Sequence, residues 1–170
     1  MMWADAIFVV VYATLFAMLE IEIEGKFGWA EKLPTVPVLG KFTGYHCVMN
    51  VMVVLTLLYA LLPRMGVWSA LFFIVGWFLV EDFAWFVLNP NYGIQNYTKS
   101  KVKWHDSYWP LGVPLHNYIG IALMVFAAFM AGKPQLVWAG GAMAVGVALI
   151  IFAAPAYCRL YNYVRLPTSV

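Results

Sequence analysis

Residues 66–88 read GVWSALFFIVGWFLVEDFAWFVL, and this stretch of sequence decides the fold. A helix that crosses a membrane needs about 20 mainly apolar residues, each adding 1.5 Å of rise. The stretch has that length, and its only ionisable residues are Glu81 and Asp82 in its last third. It therefore predicts a transmembrane helix that carries two adjacent carboxyl groups into the membrane.

Four further apolar runs of similar length flank this helix. They predict helices over residues 3–23, 44–62, 113–131 and 135–157. The first run follows no basic segment and precedes no small-residue cleavage site, so we expect a helix rather than a removable signal peptide. Pro and Gly in residues 62–66 and 132–134 predict tight turns between antiparallel neighbours. The predicted fold class is all-α, a single polytopic bundle of about five transmembrane helices over residues 1–170.

The composition agrees with a lipid environment. The 170 residues are 64% hydrophobic and 11% charged, whereas soluble domains average about 45–50% apolar and about 25% charged residues. A lipid bilayer removes the need for a polar surface. The net charge of +2 is spread between the apolar runs and forms no basic block, so we expect the bilayer as a partner and no nucleic acid.

The basic residues predict an orientation. Lys and Arg collect in the loops that remain on the cytoplasmic side of a membrane. Here the two long loops and the C-terminal tail share one side, and the remaining basic residues, Arg64 and Lys133, lie on the other. The first side carries Lys26, Lys32, Lys41, Lys99, Lys101, Lys103, Arg159 and Arg165. We therefore expect a multi-pass protein of the cell membrane, an inner membrane, with its N-terminus outside and its C-terminus in the cytoplasm.

Most ionisable and polar groups gather at the same predicted face. The three histidines and seven of the eight acids fall on the cytoplasmic side of this topology, and only Asp5 falls outside. The groups within or next to the helices are Glu20, Glu22, Glu24, His46, Asn50, Glu81, Asp82, His116 and Asn117. This grouping predicts a cytoplasm-proximal polar site.

Glu81 and Asp82 need partners inside the bundle, because an acid at the centre of a membrane helix costs about 2.5–3.5 kcal/mol on insertion scales. Neighbouring residues of a helix point about 100° apart. The two carboxyl groups are therefore expected to face different helices. The partners expected at a similar depth are His46, His116 and Glu20.

A first hypothesis for this site is a transition-metal centre. His46, His116, Glu81 and Glu20 would bind zinc, iron or copper, since imidazole and carboxylate groups suit these ions. Glu81, Asp82 and His105 would then be the catalytic residues. The sequence contains neither HExxH nor HxxxH, so the spacing gives the metal hypothesis no independent support.

Two other hypotheses use the same residues. His46 and His116 could be the axial ligands of a b-type haem held between the second and fourth helices. Alternatively, the histidines and acids form buried hydrogen bonds and ion pairs that fix helix packing or bind another subunit or a second copy of the chain.

The loop over residues 97–116 alternates basic, aromatic and polar side chains at the same face. Its simplest interpretation is an interfacial loop attracted to anionic head groups. A second interpretation is a lid on the polar site, in which Lys99, Lys101 and Lys103 receive an anionic or lipid head group and His105–Asp106 transfers protons. The sequence thus favours a small membrane protein that binds a metal and acts on a membrane-soluble or lipid-like substrate. The alternative is a non-catalytic subunit of a larger membrane complex.

Overall fold

Helices make up most of the chain that the structure describes. The structure is a computed structural model, and it describes residues 2–28, 30, 37–39, 42–102 and 108–165. The helices are α1 (Met2–Glu24), α2 (Gly44–Met65), α3 (Val67–Leu88), α4 (Leu115–Ala131) and α5 (Gln135–Arg165). Two short antiparallel strands, β1 (Pro37–Leu39) and β2 (Phe42–Thr43), precede α2, and single 3-10 turns cover Ile94–Asn96 and Pro110–Gly112.

The chain is a helical membrane bundle, as the apolar runs predict. The helices α1, α2, α3 and α5 are long and apolar enough to cross a membrane, and α4 is a shorter apolar helix of 17 residues. The predicted bounds agree with the observed ones to within three residues except at the C-terminal end of α5.

The helix α5 continues about eight residues beyond its predicted end near residue 157. Its 31 residues span about 46 Å, which is longer than the roughly 30 Å hydrocarbon core. The extra turns are held by α1: the Tyr161 hydroxyl donates to the Ile21 carbonyl at 3.4 Å, and Arg165 forms an ion pair with Glu22. Hydropathy alone predicts the C-terminal end of α5 too early, because contacts with a neighbouring helix stabilise these extra turns.

Successive helices run in opposite directions. Arg64 near the end of α2 pairs with Asp5 at the start of α1, with 2.9 Å between Nη2 and Oδ1. On α4, Gly120 lies against Leu79 of α3, while Met124, further along α4, lies against the earlier Gly76. One end of the bundle therefore collects Glu20, Glu24, His46, Asp82 and His116, and we call it the polar end. The opposite end holds the turns before α3 and α5.

The central helix is α3, which packs against all four other helices. More than half of its apolar window is buried, a larger share than in α1, α2 or α5. Trp77 is fully buried and meets Phe16 and Tyr12 of α1, with ring centroids 5.0 and 5.8 Å apart. The position of α3 explains why its two acids can be reached from several helices.

The tight turns at the opposite end agree with the predicted hairpins. Gly66 separates α2 from α3 with a φ of 80°, a conformation that glycine adopts at little cost. Gly132 ends α4 in the left-handed region with a φ of 61°. Lys133 Nζ donates to the Met65 carbonyl at 2.7 Å, so the two turns are joined to each other.

The glycines of α5 differ in what surrounds them. A Cβ built on Gly146 would lie 2.7 Å from Val10 Cγ1 and 3.0 Å from Val10 Cγ2 on α1. A Cβ on Gly141 would have no heavy atom within 4 Å, apart from its own helix and its chain neighbours. The close contact of α1 with α5 thus depends on Gly146 and not on Gly141.

We expect Gly146→Ala to destabilise the protein by about 1–3 kcal/mol, as overpacking does. Val10 is β-branched and has one strongly preferred rotamer in a helix, so its side chain cannot easily adopt another rotamer to avoid the new methyl group. The matched control, Gly141→Ala, should leave stability unchanged or slightly raised, because Ala favours helices more than Gly. Thermal unfolding in detergent, followed by circular dichroism, measures both. Equal stability of the two variants would contradict the role of Gly146.

Candidate functional site

Among the described residues, and apart from the Glu22–Arg165 ion pair, the acids and histidines at the polar end form three small groups rather than one cluster. One group joins α3 to α4, one joins α1 to α2, and one joins α1 to α3.

The first group pairs Asp82 with His116. Asp82 Oδ2 lies 3.3 Å from His116 Nε2, because α4 starts at Leu115 and presents its first turn to the last third of α3. The next residue, Asn117, places Nδ2 3.3 Å from His116 Nε2 and donates to the Tyr97 hydroxyl at 3.2 Å. Asp82, His116 and Asn117 were predicted to lie at one face, and the structure brings them together.

The second group surrounds His46 at the start of α2. His46 Nδ1 lies 2.6 Å from the Thr43 hydroxyl, and Nε2 lies 3.1 Å from the Tyr45 hydroxyl and 3.8 Å from Glu24 Oε2. The Tyr45 hydroxyl also donates to Glu24. We call these four residues the His46 group. It links an imidazole to a carboxylate both directly and through a phenol.

Three members of the His46 group are not among the predicted site residues. The sequence places Glu24 on the polar face but not in the site, and it predicts no role for Thr43 or Tyr45. Thr43 occupies the N-cap position of α2, yet it makes no capping hydrogen bond there. Its hydroxyl meets His46 three residues on. The spacing of Thr, Tyr and His at a helix start was the available signal.

The third group is a pair of carboxyl groups. Glu20 lies one turn after Phe16 on α1, and Glu81 lies one turn after Trp77 on α3. Because the Phe16 and Trp77 rings are in contact, with centroids 5.0 Å apart, the two carboxyl groups lie at the same level of parallel helices and face each other. Glu20 is only 9% exposed. Glu81 Oε1 is buried and has no hydrogen-bond partner among the described protein atoms. The same is true of the indole nitrogens of Trp77 and Trp85, which lie one turn before and one turn after Glu81.

The proposed metal ligands are divided among these groups. His46, His116, Glu81 and Glu20 each have a nearby acid or imidazole partner, but the two histidines belong to different groups. Within the described ranges, three or more His, Cys, Asp or Glu side chains nowhere converge on a possible metal position. The structure therefore lends the metal hypothesis no support. His105, Lys103 and Asp106 lie outside the described residues.

The described part of the long loop folds back over the polar end. Tyr92 packs against Trp85 and Phe86, with ring centroids 5.5 and 5.7 Å apart. Burial raises the pKa of the Tyr92 phenol, and the negative charge of Glu24 raises it further. Tyr92 therefore stays an uncharged phenol at neutral pH. Lys99 and Lys101 are exposed in this loop.

A large apolar cleft opens beside the Asp82–His116 pair. The helices α4 and α5 both pack on α3 but scarcely contact each other, and the space between the three helices has a volume of about 1160 Å³. The lining is mainly apolar, with Phe72, Leu79 and Met143 among its residues. Tyr97 and Asn117 line it at the polar end, and Lys133 lines it at the opposite end. We call this space the α4–α5 cleft.

Comparisons with protein-family models, with curated proteins and with solved structures found no match. The α4–α5 cleft and the Asp82–His116 pair are adjacent, because the cleft ends at Asn117 and Asn117 is in contact with His116.

We expect the transition-metal content of the purified protein to be unchanged by His46→Gln and by His116→Gln. Each imidazole lies in its own group, so neither substitution should remove a ligand from a shared ion. Elemental analysis with a visible spectrum measures both metal and haem, and Glu22→Gln serves as a surface control. Loss of stoichiometric zinc, iron, copper or haem in both histidine variants would instead support a centre built on both residues.

Proposed function

We propose that the protein binds a membrane-soluble amphiphilic molecule in the α4–α5 cleft and that the Asp82–His116 pair carries out acid–base chemistry on its polar group. The observation that supports this proposal most directly is the position of the cleft. It is open between two membrane helices along its length, and it ends at a hydrogen-bonding pair beside an imidazole and a carboxylate.

The dimensions of the cleft suit a long apolar chain. The helix α4 runs along it from Asn117 to the Gly132 turn, which is about 22 Å by helix rise. Pockets for small ligands usually have volumes of about 300–1,000 Å³, and the volume here is about 1160 Å³. Lipid would enter from the side, because α4 and α5 leave the space between them open.

The polar end of the cleft favours an uncharged head group. Asn117 and Tyr97 offer an amide and a hydroxyl, which can both donate and accept hydrogen bonds. The nearby acids, Glu20, Glu81 and Asp82, would disfavour an anionic head group through charge repulsion. We therefore propose a hydroxyl- or carbonyl-bearing amphiphile as the bound molecule.

The chemical role of the Asp82–His116 pair follows from ordinary acid–base catalysis. Histidine gains and loses a proton near neutral pH, and a carboxylate bonded to one ring nitrogen orients the ring and stabilises its protonated form. Asp82 would act in this way on His116 Nε2. The other ring nitrogen, Nδ1, would then accept a proton from the head group held by Asn117, or return one to it.

We also propose that the polar end faces the cytoplasm, with the N-terminus outside. The count of basic residues supports this orientation. Among the described residues, the polar end carries Lys26, Lys99, Lys101, Arg159 and Arg165, and the opposite end carries Arg64 and Lys133. Positive loops are retained in the cytoplasm. The membrane would then be the cell membrane, where the polar site exchanges protons with the cytoplasm.

We expect Ala144→Phe to reduce binding of a photoreactive monoacylglycerol by about tenfold or more. The new ring would occupy part of the cleft, so the ligand would bury less apolar surface and lose more than about 1.4 kcal/mol of binding free energy. Ala144 lines the cleft, whereas Ala148, one turn further along α5, does not. Ala148→Phe is therefore the matched control. Crosslinking in vesicles of neutral phospholipid, quantified by mass spectrometry, measures both. Equal crosslinking in the two variants would contradict binding in the cleft.

The orientation gives a second expectation. In a variant with both native cysteines replaced by Ala, a membrane-impermeant maleimide applied to whole cells should label Lys133→Cys but not Lys101→Cys. The two positions are separated by α4, so the result also tests whether this helix of 17 residues crosses the membrane. Labelling of both positions from the same side would rule out a spanning α4 and the proposed orientation with it.

A further inference from the structure

The Glu20–Glu81 pair is the most deeply placed contact between ionisable groups at the polar end. Glu81 lies seven residues before the end of α3 at Leu88, which is about 10 Å along the helix axis. Among the described residues, no Lys, Arg or His lies within ion-pair distance of either carboxyl group. The pair is therefore not neutralised by a basic side chain of the described chain.

A hydrogen bond between two carboxyl groups requires a proton. An ionised carboxylate only accepts hydrogen bonds, so one member must be protonated for the two to bond. Glu24 on α1, Tyr45 on α2 and Asp82 on α3 itself also lie near enough to act electrostatically on Glu81. These groups are acidic or phenolic, and none of them supplies a positive charge.

The pair also lies between the two imidazole groups. Asp82 follows Glu81 directly on α3 and bonds to His116. On the other side, Glu24 lies one turn after Glu20 on α1 and bonds to Tyr45 in the His46 group. Carboxyl groups thus lie between the imidazole beside the cleft and the imidazole at the start of α2.

We propose that Glu20 and Glu81 share one proton and pass protons between the Asp82–His116 pair and the His46 group. The site beside the α4–α5 cleft would thereby exchange protons with the polar end of the bundle. The role in turnover rests on the acid–base function proposed above, whereas the shared proton does not.

The transfer is balanced at every step. When His116 passes its Nε2 proton to Asp82, an N–H bond breaks and an O–H bond forms. Asp82 gives this proton to the pair, and the proton already held there moves to the Glu24 carboxylate; in both transfers one O–H bond breaks and another forms. Glu24 then gives its proton to the Tyr45 hydroxyl oxygen as the Tyr45 proton moves to the His46 imidazole, where an N–H bond forms. Every electron pair stays on the atom that loses the proton. Glu20 and Glu24 are separated by one helical turn, about 6 Å along the axis, which one water molecule can bridge. The proton leaves through Tyr45 and His46.

The path ends at the pair and does not cross the membrane. Trp77, one turn further into the bundle, is fully buried against Phe16 and Tyr12. Beyond it, α1 and α3 meet through buried apolar residues such as Ala13 and Phe73. The arrangement therefore serves local proton transfer rather than transport across the bilayer.

Infrared spectroscopy of the purified protein in vesicles tests the shared proton. The spectrum at neutral pH should contain a protonated-carboxyl stretching band that shifts in heavy water. Glu81→Gln and Glu20→Gln should each abolish the band completely, because the new amide donates to the remaining ionised carboxylate. Glu22→Gln, at the surface beside Arg165, should leave it unchanged. Circular dichroism of each variant establishes that the bundle is folded.

Two results would overturn the proposal. The first is a wild-type spectrum without the band, or a band that survives in both amide variants. The second result concerns the path. Tyr45→Phe should lower several-fold the rate at which the band shifts after transfer into heavy water, whereas Tyr59→Phe, at an exposed position on the same helix, should leave this rate unchanged. Equal rates of the band shift in these two variants would exclude proton transfer through Tyr45. Neither measurement needs a bound amphiphile, so failure of the cleft proposal would be recognised separately.

Discussion

The polar end of this bundle follows from one constraint, which is that α3 carries two adjacent acids within an apolar helix. Such acids are costly in hydrocarbon unless they find partners in the protein. Because α3 packs against all four other helices, each acid meets a different one: Glu81 faces Glu20 of α1, and Asp82 faces His116 of α4. The roughly 100° between neighbouring side chains thus separates the site into distinct groups.

Much of the architecture was predictable because membrane helices have a strong local signal. Length and hydropathy identified the five helices, and Pro and Gly located the turns around Gly66 and Lys133. The direction of each helix follows from alternation, so the gathering of acids and histidines at one end was predictable too. The extra turns of α5 were not predictable, because contacts with Ile21 and Glu22 stabilise them. Hydropathy does not reveal contacts between helices.

The partners of each polar side chain depend on how the helices are rotated, and sequence periodicity does not determine that rotation. His46 and His116 were expected at a common depth, and each does lie in the first turn of its helix, α2 or α4. Whether they share a partner depends on the packing around α3. The α4–α5 cleft is a similar case: a tight turn predicts antiparallel helices, but α4 and α5 both pack on α3 instead of on each other.

The same geometry bears on whether the chain works alone or as a subunit. A subunit should present unsatisfied polar groups on its outer faces for a partner to complete. Here the hydroxyl groups of Thr14 and Thr56, in the middle of α1 and α2, donate to carbonyls of their own helices. Among the described residues, the buried polar atoms without partners, including Glu81 Oε1 and Trp77 Nε1, belong to the central helix α3. Because these atoms lie inside the bundle, they can serve the polar site of the chain itself, and a second subunit at the outer faces would not reach them.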